Sequence, residues 1–448
     1  MAILEFLNPR GNLFAAGISF LVQGLIRLGS SLILTRILHP EAYGIVTVLL
    51  SVMLVVEMLA DLGVTVFMVR EQRAEEPAYL NTAWTLRLGR AVLNGIVVFA
   101  AAPVIASLYH LPELVTPLRV VSLWFFAGGL ESMSFPLAVR HNRSRLEMYC
   151  ELFATLISTV FSVAYCYYFR TYWGMVYAIL LNRLLMSLLS YRFYTELRPR
   201  LQFDAAAARD IFRYTRLTVP SGILMLVLTQ FDKVAFLRFF DLRSLGIYGL
   251  ANNIAGPIES LILNTCHSVL YPRCAQVFRA DPRTLVSSYY GSNIKLFASI
   301  LMLPAAVGGA AFLIVSVLYD PRYWNTGGVL EAFMVRATLT AFAASAEALL
   351  IAAGEPQVIL IGSLFRTLWI VPASLGGYYF FGFTGFVYGT ASNALPALVY
   401  YFWLQKKRNL LIVRHELSKV LFALAVAICA HTLSAGISAL SALLRIRP

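Results

Sequence analysis

Ser19, Gln23, Arg27 and Ser30 follow one another at intervals of four, four and three, so on a helix they share one face of an otherwise apolar run. A guanidinium in such a stripe is costly at membrane depth and suits an anion-binding cavity. Two readings of Arg27 stay open: it faces a cavity, or it pairs with an acid on the next run. On that run Glu57 and Asp61 stand one turn apart, with Thr65 continuing the face. Such a carboxylate pair can couple transport to a proton or sodium ion. The plainer reading bonds Glu57 to a neighbouring helix and puts Asp61 at a helix end. Arg183 (with Ser187 and Ser190), Arg336 (four before Thr340) and Arg366 lie deep in later runs. Each is a candidate for the cavity or for an internal ion pair, which for Arg336 would use Glu331 or Glu347. Arg87 and Arg90 open the third run and are expected to snorkel to the interface. The eighth run carries Asn252, Asn253, Glu259, Ser260, Asn264 and His267 on more than one face. Asn253 is placed in the cavity with Gln23 and the arginines, while Glu259 joins Glu57, Asp61 and Asp232 as ion-coupling candidates.

Chemistry on a covalent bond is not indicated. The chain has no GxxxxGK[ST] loop, no HExxH, no GxSxG, and no long extramembrane loop with an acidic pair. No cofactor is expected beyond a coupling H+ or Na+. Five cysteines without a CxxC, mostly in or beside apolar segments, read as packing residues.

The 448 residues are 59% hydrophobic and 13% charged, with mean hydropathy +0.73, which marks a polytopic membrane protein. The net charge of +13 sits in short breaks between apolar runs, where orientation signals belong, and no soluble basic domain exists to bind nucleic acid. At about 20 residues per span, runs one to six fall near 13–35, 43–67, 83–106, 117–138, 148–169 and 172–193. Runs seven to twelve fall near 215–239, 246–270, 290–318, 327–352, 357–380 and 383–404, and a further segment covers 418–443. The first run lacks a small-residue cleavage site and reads as a retained helix. A single final crossing puts Arg445 and Arg447 outside; a hairpin at Gly436 would return them inside, which about 26 residues hardly permit.

Alternate breaks hold the arginines and lysines, from Arg10 through Arg70 and Arg73, Arg140 to Arg145, Arg198 to Arg209 and Arg273 to Arg283 to Lys406-Lys407-Arg408. The N-terminus and the mid-chain linker are therefore expected in the cytoplasm. Gly354-Glu355-Pro356-Gln357 should share that side yet is not basic. An internal echo relates Leu34-Thr35-Arg36 and Tyr43-Gly44-Ile45 to Leu237-Arg238 and Leu245-Gly246-Ile247-Tyr248 at an offset of 202, and places Glu57 on Glu259. Six runs per half make the repeat parallel about the membrane normal. The expected organisation is an N-lobe at 1–193, a linker at 194–213, a C-lobe at 214–404, and a basic loop with a hydrophobic segment at 405–448. Within the second copy, Asp232 and Lys233 point about 100° apart on a helix. Asp232 is expected to face a helix or the cavity, and Lys233 to reach toward the outer interface.

Leu34-Thr35-Arg36-Ile37-Leu38-His39-Pro40-Glu41-Ala42-Tyr43-Gly44-Ile45, Asp61-Leu62-Gly63 and Leu80-Asn81-Thr82-Ala83-Trp84 resemble the opening of the polysaccharide (O-antigen and exopolysaccharide) flippases. Leu197-Arg198-Pro199-Arg200, Gln230-Phe231-Asp232-Lys233 and Leu270-Tyr271-Pro272-Arg273 extend the likeness through about 1–404. It is similar to the colanic acid and succinoglycan exporter branch of the multidrug, oligosaccharidyl-lipid and polysaccharide exporter superfamily. The resemblance implies an all-α fold of two six-helix lobes around a central cavity that opens to either side in turn. It implies as cargo an undecaprenyl-diphosphate-linked oligosaccharide, moved across the bacterial inner membrane, with membrane lipids and a polysaccharide polymerase with its chain-length machinery as partners. A lipid II or multidrug exporter is the alternative, and a membrane polymerase a more distant one, since no outer loop is long enough for catalytic groups.

Overall fold

A backbone in hydrocarbon must satisfy its own hydrogen bonds, and the apolar runs do so as helices. A computed structural model describes residues 9–60, 63–141, 143–192 and 199–445, and contains no strand among them. Seven of the described helices are long and apolar enough to cross a membrane, or nine when two bent pairs each count as one span. The chain divides into two units, residues 1–246 and 247–448.

In the first unit the helices are α1 (Pro9–Ile37), α2 (Pro40–Leu59), α3 (Val64–Arg70), α4 (Pro77–Leu108), α5 (Val115–Gly129), α6 (Ser134–Arg140), α7 (Ser144–Phe169), α8 (Trp173–Ser190) and α9 (Ala205–Phe239). The α10 helix (Leu242–Thr265) starts here and continues into the second unit. Two expected single runs are broken. Run two stops at Leu59 and resumes at Val64 after Gly63, whose φ of +59° suits glycine. Run four bends by 54° between α5 and α6 at Leu130 to Met133. The break is tied to the end of α8: the Ser132 N–H donates to Ser190 Oγ and the Ser132 hydroxyl to the Ser190 carbonyl, both at 2.8 Å. The Tyr191 hydroxyl donates to the Leu130 carbonyl at 2.6 Å.

The Asn81-Thr82 stretch also finds a structural use. Asn81 accepts the Arg200 N–H and donates to Gln202, each at 2.9 Å, and Thr82 accepts the Asp204 N–H at 2.9 Å. Asp204 in turn accepts the Ala207 N–H at 2.8 Å and caps α9. The described part of the linker is thus laced onto the start of α4.

In the second unit α10 passes through a π-helical turn at Cys266–Leu270 into α11 (Tyr271–Ala280). There follow α12 (Leu285–Ser292), α13 (Ile294–Gly309), α14 (Ala311–Leu318), α15 (Thr326–Ala352), α16 (Val358–Ala391), α17 (Leu395–Lys407) and α18 (Val413–Arg445). Run nine is therefore three helices, with a 48° bend at Asn293. The α16 helix is two antiparallel arms that reverse at Gly382 (φ +60°, ψ −138°), as the separate runs eleven and twelve require. Gly377 and Gly385 pack backbone to backbone across that reversal. The α18 helix is continuous through Gly436, which rules out the hairpin there. Glu355, in the break that lacks basic residues, is ion-paired with Arg408. Four of the five cysteines are buried and Cys429 is exposed.

The echo at offset 202 acquires a geometry in the first unit. A Cβ on Gly44 would collide with the Leu242 carbonyl oxygen, and a Cβ on Gly246 with the Pro40 carbonyl oxygen. Pro40 and Leu242 are themselves 202 apart, so α2 and α10 cross reciprocally where only glycine fits. Replacing Gly44 or Gly246 by alanine is expected to lower the thermal unfolding midpoint in detergent by several degrees. Gly256→Ala, where nothing lies within 4 Å of the new methyl, should leave it unchanged or raise it slightly.

Candidate functional site

The first unit gathers its intramembrane charges on four helices and one break. Glu131, in the break between α5 and α6, is 6% exposed. Its carboxylate is forked between two guanidinium groups, Arg87 on α4 at 2.8 Å and Arg183 on α8 at 3.1 Å. The Arg183 guanidinium also lies over the Trp124 ring at 4.8 Å, and Gly128 leaves room for it. Its Nε is buried with no acceptor among the described residues. One turn along α4, Arg90 bonds Glu57 of α2 at 2.8 Å and the Ala60 carbonyl at 3.4 Å. Arg183 feels the charges of Arg87, Arg90, Glu57 and Glu131, so the five groups act as one cluster. Glu147 of α7 interacts with Arg87 and Glu131, so three guanidinium groups face three carboxylates.

Arg87 and Arg90 therefore do not snorkel. Their side chains are 12% and 17% exposed and serve internal ion pairs. The reason is the break at Glu131 and the inward acid at Glu57, whose desolvation is offset only by a nearby cation. Glu57 follows the plainer of its two readings, bonded to a neighbouring helix, and Asp61 lies outside the described residues. On α1, Ser19 is buried, Gln23 is half-buried, and Arg27 is exposed with no ion-pair partner among the described residues. Of the two acids on the next run, Glu57 is bonded to Arg90 and Asp61 is outside the described residues.

Asp232 is 5% exposed, as expected of a residue facing another element. Lys233 does not reach outward: its ammonium donates to the Thr229 carbonyl at 2.8 Å and stands 3.7 Å from Asp232. Bending back one turn satisfies the ammonium locally, on a carbonyl of its own helix.

In the second unit Arg336 on α15 meets Glu259 on α10 at 3.0 Å and the Asn252 side-chain oxygen at 3.4 Å. Thr340, one turn on, donates to the same carboxylate at 3.3 Å, and the Phe333 ring lies 4.3 Å from the guanidinium. Arg336 thus uses neither Glu331 nor Glu347. Glu347 instead accepts the Tyr401 hydroxyl at 2.7 Å. Asn253 is exposed, and its neighbour Asn252 makes the contact. Arg366 is half-buried, with a buried Nε that has no hydrogen-bond partner among the described residues. No group of three or more metal-ligating side chains occurs among the described residues.

Glu131 escapes a reading by apolar runs because it sits inside one; the signal was an acid following Gly128-Gly129, a helix-weakening pair. Removing it strands two buried guanidinium groups. Glu131→Ala is expected to destabilise the protein by about 3 kcal/mol or more, read as thermal unfolding in detergent, and Arg90→Ala by less because Glu57 is 29% exposed.

Comparison with known proteins places this geometry. The family described as polysaccharide biosynthesis protein matches residues 33–326. The succinoglycan biosynthesis transport protein ExoT of Rhizobium meliloti is 23% identical over 62% of this chain and 55% of its own length. The lipopolysaccharide biosynthesis protein WzxC of Escherichia coli is 22% identical over 80% of this chain and 72% of its own. The match therefore spans little more than half of the succinoglycan protein. In fold, the chain is similar to the lipid II flippase MurJ in an inward closed conformation, with a TM-score of 0.73 at 10% identity over 95% of this chain and 99% of that one. It is also similar to an inward-facing multidrug resistance MATE family transporter of the MOP superfamily, at 0.63 and 18% identity over 86% and 94%. With the family matched over well over half of its residues, the chain belongs to the polysaccharide biosynthesis protein family.

Proposed function

We propose that the protein is a flippase that carries a polyprenyl-diphosphate-linked oligosaccharide from the cytoplasmic to the outer leaflet of the bacterial inner membrane, with its N-terminus in the cytoplasm. The observation that carries this reading is the concentration of arginines at membrane depth, three in the ionic cluster around Glu131 and the exposed Arg27, which has no ion pair among the described residues. A diphosphate cannot enter hydrocarbon unaccompanied, and guanidinium groups offer it charge-assisted hydrogen bonds. ExoT is named a transport protein, the fold neighbours are a flippase and a transporter, and on this reading the protein acts as a carrier, not an enzyme.

The working cycle is alternating access of two six-helix lobes, residues 1–193 and 214–404, joined by residues 194–213. A second echo supports the repeat. Tyr167-Tyr168-Phe169, Gly174, Val176 and Tyr177 recur as Tyr378-Tyr379-Phe380, Gly385, Val387 and Tyr388 at an offset of 211. Both copies mark a helix-to-helix turn: Gly174 packs on Cys166 and Gly385 on Gly377, again 211 apart. On this reading the α2–α10 glycine crossing is the contact that must part when the outer side opens. Glu57 and Glu259, each held by one arginine, are the points where a proton or sodium ion competes with a guanidinium and couples the cycle to a gradient. A polymerase with its chain-length machinery takes up the product.

A strain without the protein is expected to lose one surface polysaccharide and to accumulate its lipid-linked repeat unit, measured by mass spectrometry of extracted lipids. Normal polysaccharide with lysis would point to lipid II as cargo, and normal polysaccharide with drug hypersensitivity to a multidrug exporter.

A further inference from the structure

In the second unit α13 and α18 lie side by side and line a cavity of about 350 Å³ whose two ends differ in chemistry. His415, Ser418 and Lys419, on the first turns of α18, form a polar end with Tyr290 of α12. Phe297, Ala298 and Leu301 of α13 with Phe422 of α18 form an apolar end further along both helices.

Lys419 and Glu416 are 9% and 8% exposed and bonded to each other at 2.8 Å. The ammonium is also enclosed by the rings of Phe297, Tyr289 and Tyr290 at 3.8, 4.8 and 5.0 Å. Tyr290 stacks on His415 at 5.1 Å and accepts the Ile412 N–H at 3.2 Å, so α18 is held in register against this wall. The buried pair cancels its own charge. What remains at the polar end are Lys295, next to Ile294 of the lining, and Arg414, next to His415. Both are exposed and neither has an ion pair among the described residues. Two exposed cations thus stand one residue from the lining on either helix, beside a polar end that leads into an apolar one, on the side of the chain that carries Lys406-Lys407-Arg408.

We propose that this cavity binds one anionic phospholipid. Its phosphate sits at the His415–Ser418 end between Lys295 and Arg414, and one acyl chain runs along Phe297, Leu301 and Phe422. The charge excess selects the occupant: a zwitterionic phospholipid brings its own cation to a mouth that already has two. The orientation inferred above is used only to name the leaflet, which is the cytoplasmic one, where a basic juxtamembrane cluster favours anionic headgroups.

The test titrates the purified full chain in detergent with phosphatidylglycerol, phosphatidylcholine or an undecaprenyl diphosphate, read by native mass spectrometry. Phosphatidylglycerol is expected to bind about tenfold more tightly than phosphatidylcholine, the scale set by two cations beside an anionic headgroup. K295E/R414E, which touches only exposed side chains, should bring the ratio near one. A298W, which fills the apolar end and leaves the charges in place, should remove bound lipid of either kind without loss of helical circular dichroism. Equal affinity for the two phospholipids in the unaltered protein, or a preference that K295E/R414E retains, overturns the proposal. So does displacement of phosphatidylglycerol by undecaprenyl diphosphate at equal concentration, which would assign the cavity to the cargo.

Discussion

An ionised side chain in hydrocarbon needs a partner of opposite charge, and in this chain the demand converges on the Glu131 carboxylate. It stands where a membrane helix has already broken, so its cost is met not by helix geometry but by two arginines from different helices. Much of the first unit follows from that fork. The break needs a seam to Ser190 and Tyr191, α4 must turn Arg87 inward, and Gly128 must leave room for Arg183. Arg90 extends the same surface to α2 through Glu57. What results is a polar wall of arginines and carboxylates drawn from several helices.

The second unit meets the same constraint differently. There a single arginine is enclosed by a carboxylate, a threonine hydroxyl, an asparagine oxygen and a phenyl face, and its charge is fully matched by Glu259. The two units therefore meet the same demand with different partners. Glu57 and Glu259 keep the 202-residue spacing, but one is bonded from α4 and the other from α15, the fourth and not the third long apolar run of its half.

Much of this was legible in the residues. Helix positions follow from run length, the break at Gly382 was placed by run boundaries, and the echo aligned Gly44 with Gly246, though not their reciprocal packing. Arg183 and Arg336 were identified as deep because no break lay near them. The pairings were not legible. Arg336 is held by Glu259 on another helix because Glu331, five residues back, points about 140° away, and Glu347, eleven on, shares its face but stands about 16 Å along the axis, whereas a helix crossing is invisible to periodicity. Lys233 turned back to Thr229 because its environment, not its position in a run, decides where an ammonium is satisfied. Glu131 was hidden by the apolar residues around it.

The central claim, that arginines at membrane depth receive the anionic end of the cargo, rests on residues that also hold the fold together, with one exception. Arg27 is exposed and has no ion pair among the described residues, so its charge can be removed without breaking one there. The most direct measurement is transbilayer movement of an undecaprenyl-diphosphate-linked oligosaccharide in proteoliposomes containing either the unaltered protein or Arg27→Gln. A loss of about tenfold or more in rate, on the scale of one charge-assisted hydrogen bond, with an unchanged thermal midpoint, is the predicted result. An unchanged rate at equal stability would contradict the account.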